Sequence, residues 1–81
     1  MYKAKYIIAN GCAIVFSAAI THKDLARGMK VESAGFVVFR SENDGCDWVV
    51  KAHAFGESVS LDIKSREIDS DIITRQIANT F

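Results

Sequence analysis

The sequence predicts a single α+β domain, a small antiparallel sheet or partly closed barrel in the order β-β-α-β-β-β-α. Three observations carry this. Asn10-Gly11 stands between two β-rich runs, and two helix starts are legible at Thr21 and at Asp69-Ser70. Most other apolar residues fall in short alternating or continuous runs, the pattern of strands. The 81 residues contain no proline, no serine-rich stretch and no internal repeat, so residues 1–81 are expected to form one domain without a linker.

The first strand, Tyr2 to Ala9, places Ala4, Tyr6 and Ile8 on one face and Lys3, Lys5 and Ile7 on the other. Asn10-Gly11 supplies a two-residue turn in which both residues must reach positive φ, and Cys12 to Ser17 returns. Thr21 then caps a short helix, with Asp24 at its third position. Ile20 and Leu25 are spaced for a hydrophobic staple, and Gly28 ends the helix. Val31 to Arg40 and Cys46 to Ala54 read as strands around a Ser41–Gly45 loop of turn-forming residues. A further strand is expected from about Glu57 to Ile63, with Val59, Leu61 and Ile63 on its dry face. Asp69 or Ser70 caps the last helix, Ile68 and Ile73 staple it, and Ile72, Ile73, Ile77 and Phe81 form its buried stripe.

Two strands carry large apolar groups in both directions, Phe36-Val37-Val38-Phe39 and Trp48-Val49-Val50. Either they are central to a closed barrel or their second face packs on another subunit. A chain of 81 residues buries only about two-thirds of its unfolded surface. A homo-oligomer is therefore expected, built on Phe36/Val38 or Val37/Phe39 together with Trp48/Val50 or Val49.

Composition narrows the function classes. Hydrophobic residues are 49% and charged residues 25%, which argues against intrinsic disorder. The apolar runs are too short for a transmembrane helix, and the first residues lack the apolar core of a signal peptide. No membrane role is expected. Two cysteines do not make a disulfide framework, so a reducing cytoplasm is the expected setting. Net charge is zero, although residues 1–40 carry six basic against two acidic groups and residues 41–81 four against eight. Nucleic-acid binding normally leaves a basic footprint and is not expected here.

Chemistry-bearing residues are few. Cys12, His22, Cys46 and His53 lack the close pairs of a metal site, so no metal and no cofactor are expected. Nothing encodes a Cys–His catalytic contact, and the protein is not expected to be an enzyme. Thr21-His22-Lys23 offers backbone N–H groups, a hydroxyl and a cation for an anion. Between Gly56 and Arg66, Ser58 and Ser60 followed by Lys64 and Arg66 put donors on one strand face, suited to phosphate or a partner's carboxylates. Ordinary capping and a solvated edge strand are the plainer accounts of these two features.

The segments Tyr6-Ile7-Ile8-Ala9-Asn10-Gly11, Ile20-Thr21-His22, Ser33-Ala34-Gly35-Phe36-Val37 and Gly56-Glu57-Ser58-Val59-Ser60-Leu61 together resemble small uncharacterised proteins of tailed bacteriophages. The resemblance spans most of the chain and brings no catalytic motif. It implies a host bacterial cytosol, early phage expression and an accessory role, often the blocking of a host protein, immune systems included. The leading expectation is thus a non-enzymatic, phage-type inhibitor that binds a host or defence protein through its polar strand face and the hairpin loop from Glu42 to Asp47. The alternative is an oligomer that sequesters a small ligand of the cyclic-nucleotide kind. It would hold the ligand with Thr21, His22, Ser58, Ser60, Lys64 and Arg66 and stack it on Trp48 or Phe55.

Overall fold

The computed structural model describes residues 3–45 and 47–80. Its elements are β1 (Lys3–Ala9), β2 (Cys12–Phe16), α1 (His22–Ala26), β3 (Val31–Asp44), β4 (Asp47–Phe55), β5 (Glu57–Ser58), β6 (Ile63–Lys64) and α2 (Asp69–Thr80). The fold is α+β. One antiparallel sheet of order β2-β1-β3-β4 curls into a half-barrel, and β5 and β6 make a separate small hairpin. The expectations for Tyr2, Cys46 and Phe81 lie outside the described residues.

The first hairpin forms as its turn chemistry dictates. Asn10 and Gly11 take φ of 54° and 75°, and Ala9 pairs with Cys12. α1 is capped at Thr21, whose side-chain oxygen accepts the Asp24 N–H at 3.1 Å. Ile20 nevertheless stays exposed.

Three expectations are corrected. The turn-rich residues Ser41 to Asp44 are not a loop: β3 continues to Asp44, which pairs in register with Asp47. Cross-strand pairing thus extends over the polar residues as well. The strand expected from Glu57 to Ile63 is instead two 2-residue strands around a turn. Asp62 there adopts φ 56°, and Ser58 Oγ accepts the Leu61 N–H at 3.2 Å. The turn throws Val59 outward to 88% exposure, while Leu61 and Ile63 still pack inward. Ile68 is exposed and does not staple α2, although Ile73 is buried.

Residues of each strand alternate between two sheet faces. On one, Ala4, Tyr6, Ile8, Ala13, Val37 and Ala52 meet Ile73 of α2, with Phe39, Ala54, Ile72 and Ile77 around them. On the other, Ile7 and Ala34 meet Ala26 of α1, flanked by Phe16, Leu25, Val31, Leu61 and Ile63. Each fully buried Ile contributes about 2 kcal/mol by removing apolar surface from water.

α2 also closes the half-barrel. Ser70 Oγ and Thr74 Oγ1 accept the outward N–H groups of Ala54 and Ala52 on the edge strand β4, at 2.8 and 3.0 Å. At the opposite edge, Gln76 accepts the Ala13 N–H at 2.8 Å and donates to the Ala13 carbonyl at 2.7 Å. One helix thus satisfies backbone groups on both edges of the sheet.

Candidate functional site

A row of side chains crosses the face opposite α2. Strand registers place Phe16, Lys5, Phe36 and Phe55 side by side on β2, β1, β3 and β4. The Phe36 and Phe55 rings stack at 6.0 Å, and Lys3 Nζ lies 4.8 Å from the Phe36 centroid. His22, the first residue of α1, meets Phe16 and Phe36 edge-on at 5.5 and 5.9 Å. It is buried, and its Nε2 lies 2.8 Å from the Gly35 carbonyl oxygen, which only a ring N–H can satisfy. The imidazole is therefore a structural pillar with its Nε2 committed.

Above this row opens a cleft of about 370 Å³, lined by Lys5, Thr21, His22, Phe36, Glu57, Val59 and Ser60. Gly35 makes the floor possible. A Cβ there would lie 2.5 Å from the Phe55 carbonyl oxygen, so only glycine lets β3, β4 and the β5–β6 hairpin approach this closely.

Three of the residues expected to bind a ligand, Thr21, His22 and Ser60, do converge on this cleft, but each already has a hydrogen-bond partner within the chain. Thr21 Oγ1 caps α1, and Ser60 Oγ accepts the Lys23 N–H at 3.2 Å. Of the backbone donors expected of Thr21-His22-Lys23, the Lys23 N–H is taken by Ser60, and α1 has only five residues. Ser58 is buried beneath the hairpin. Lys64 is exposed and pairs in register with Glu57, outside the cleft lining. Arg66 is turned to Asp69, with Nε 3.0 Å from Oδ1. Phe55 extends the aromatic floor. Trp48 sits seven positions from Phe55 on the same strand and so faces the other side of the sheet.

Comparison with known protein families, curated proteins and solved structures finds no match to this chain. Its chemistry has to be read from the geometry. Among the described residues no group of His, Cys, Asp or Glu is arranged to hold a metal.

Sequence reasoning passed over Lys3, Lys5 and Glu57 as site residues and expected Phe36 only in an oligomer interface, because Lys3, Lys5 and Phe36 meet only when β1 pairs with β3 across about thirty residues of chain. It also passed over the buried network at the start of α2. Asp69 is fully buried and accepts from Tyr6 Oη at 2.5 Å, the Arg66 N–H at 2.9 Å and Arg66 Nε at 3.0 Å. Its bond to the Arg66 N–H closes the turn that leads into α2. Burial alone would raise the Asp69 pKa. Hydrogen bonds from Tyr6 and the Arg66 backbone, the nearby buried Ser33 hydroxyl and the Arg66 guanidinium together outweigh it and hold the carboxyl below its ordinary range. Tyr6 is held far above its usual value, first by burial and then by its bond to the Asp69 carboxylate. This network is structural and lies on the helix-covered face.

The expected oligomer surface divides in two. Val37 is buried and Phe39 half-buried under α2, so that register belongs to the core. Phe36 and Val38 face the opposite side and are half-buried, as is Val49. Trp48 and Val50 stay exposed, at 71% and 47%.

Proposed function

We propose that this chain is a non-enzymatic binding protein that docks on a host or bacterial defence protein and receives an apolar side chain of that partner in the cleft above Phe36. The observation that carries the reading is the state of the cleft's polar atoms. Thr21, His22 and Ser60 already hold partners, and Lys5 Nζ donates to the Ile20 carbonyl at 2.9 Å. What remains for a ligand is the Phe36 ring, the 88% exposed Val59 at the rim, and two opposite charges on Lys5 and Glu57. An apolar anchor flanked by mixed charge is the chemistry of a protein contact. The resemblance to small tailed-phage proteins supports a bacterial host protein as the partner.

A second reading, sequestration of a cyclic nucleotide, draws on the Phe36–Phe55 stack with Lys3 beside it, on which a base could lie. It lacks converging phosphate donors, because Ser58 is buried and Ser58, Lys64 and Arg66 all lie outside the cleft lining.

Affinity capture from bacterial lysates, run with the unmodified protein and with Val59→Asp in parallel, tests the proposal. A stoichiometric host protein should be retained by the first and lost with the second, whose solvent-exposed site leaves folding intact. Retention undiminished by Val59→Asp, or no stoichiometric protein from several strains, overturns it. A thermal shift with cyclic nucleotides in the same preparation would favour the second reading.

A further inference from the structure

We propose that the distal half of β4, from Asp47 to Lys51, pairs antiparallel with the same segment of a second copy of this chain, across a two-fold axis at Val49. The two sheets become one continuous sheet. This surface is separate from the cleft and does not depend on the function proposed for it.

The direction of the backbone groups carries the argument. Pairing of β3 with β4 is continuous from Phe36–Phe55 to Asp44–Asp47, with no bulge. The Ala52 and Ala54 N–H groups point away from β3, since they donate to Thr74 and Ser70 of α2. Strand alternation then turns the N–H and C=O groups of Val50 and Trp48 outward too. Among the described residues no side chain accepts from either. At the other edge of the sheet Gln76 occupies both Ala13 groups. β4 is therefore covered along its second half and open along its first, where it carries Trp48 and Val50 with most or half of their surface in solvent.

The open segment is complementary to itself. A two-fold centred on Val49 sets Trp48 of each copy opposite Val50 of the other, an aromatic against a β-branched residue. The same register sets position 47, an aspartate, opposite position 51, a lysine, on both sides of the axis. Neighbouring registers fail. A centre at Val50 would need the Ala52 N–H, which Thr74 already holds. A centre at Trp48 would carry Val50 past the end of the partner's strand, which begins at Asp47. The Val49 register alone uses both outward residues of each copy.

Light scattering on the unmodified protein at tens of micromolar should give twice the 8.9 kDa chain mass. The single tryptophan reports independently, because Trp48 emission should shift to shorter wavelength as concentration rises and the contact forms. Val50→Pro removes an outward N–H without touching the β3 ladder. Two bonds vanish per dimer, so self-association should weaken about thirtyfold with the circular dichroism spectrum unchanged. Lys51→Asp should weaken it likewise, and Asp47→Lys in the same chain should restore it. A mass of one chain for the unmodified protein overturns the proposal, as does a dimer whose dissociation constant Val50→Pro leaves unchanged. Should Val50→Pro alter the spectrum, the charge exchange decides: no loss with Lys51→Asp, or no recovery in the double variant, overturns the pairing.

Discussion

Tyr6→Phe removes one oxygen atom from the centre of the protein and should cost a large share of its stability. Tyr6 is fully buried, and its hydroxyl donates to the carboxylate of Asp69 at 2.5 Å. A hydrogen bond to a charged group is worth about 1.5–3 kcal/mol net, against a total of roughly 4–12 kcal/mol for a domain of this length. The Arg66 guanidinium is 38% exposed and screened by water, so it does not replace the missing donor. At about 4–8 °C per kcal/mol the melting temperature should fall by roughly 6–24 °C. Far-UV circular dichroism is the probe to use, because Trp48 is 71% exposed and reports little of the core.

The same bond fixes a pH signature. The folded Asp69 pKa is depressed, so its stabilisation is complete above the unfolded carboxyl value of about 3.9 and is lost as pH falls through the folded value. Tyr6 is the converse. Its folded pKa is raised, so its contribution is complete below about 10 and is lost as pH climbs beyond that. The stability gap between the unmodified protein and Tyr6→Phe should therefore be widest near neutrality and shrink on acidification below about pH 4. A melting-temperature loss under about 3 °C, or a gap that does not change between pH 7 and pH 2, would refute this account of the network.

Two further changes test the architecture. Gly35→Ala drives a Cβ to within 2.5 Å of the Phe55 carbonyl oxygen and should destabilise by more than about 2 kcal/mol in urea unfolding, since backbone cannot give way cheaply. Ser70→Ala and Thr74→Val each leave a β4 N–H without its acceptor. Each should cost about 1 kcal/mol and speed hydrogen exchange at the Ala54 and Ala52 amides respectively, leaving Tyr6 and Ile8 protected.

Local chemistry was legible in the sequence wherever a few neighbouring residues decide the outcome. Asn10-Gly11 must turn because both residues tolerate positive φ, and Thr21 must cap because its hydroxyl reaches the Asp24 N–H. Ser41-Glu42-Asn43-Asp44 misled because turn formers also occupy strands when a partner strand lies opposite, and Trp48 to Val50 provide that partner. Ser58 and Ser60 misled in the other direction. Their alternation suggests a strand face, yet Ser58 Oγ holds a turn closed and Ser60 Oγ holds α1 in place. The cleft was half visible. Thr21, His22 and Ser60 were named, but Lys5 and Phe36 join them only through the β1–β3 register, which no local pattern encodes.

The deeper organisation follows from how α2 divides its circumference. At 3.6 residues per turn, Ser70 and Thr74 lie on one flank, Gln76 on the other, and Ile73 with Asp69 between them. The flanks bond the two edge strands and the centre enters the core. A helix therefore stands where further strands would close a barrel, and its Ser70, Thr74 and Gln76 act as edge guards. Guarding stops where the side chains no longer reach. Beyond Ala52 the β4 edge opens, and the first two outward residues there are Val50 and Trp48, both apolar and exposed. An edge left open by distance alone would favour charged residues that keep other strands away. Apolar outward positions, bracketed by one acid and one base, are instead what a strand needs to recognise its own copy.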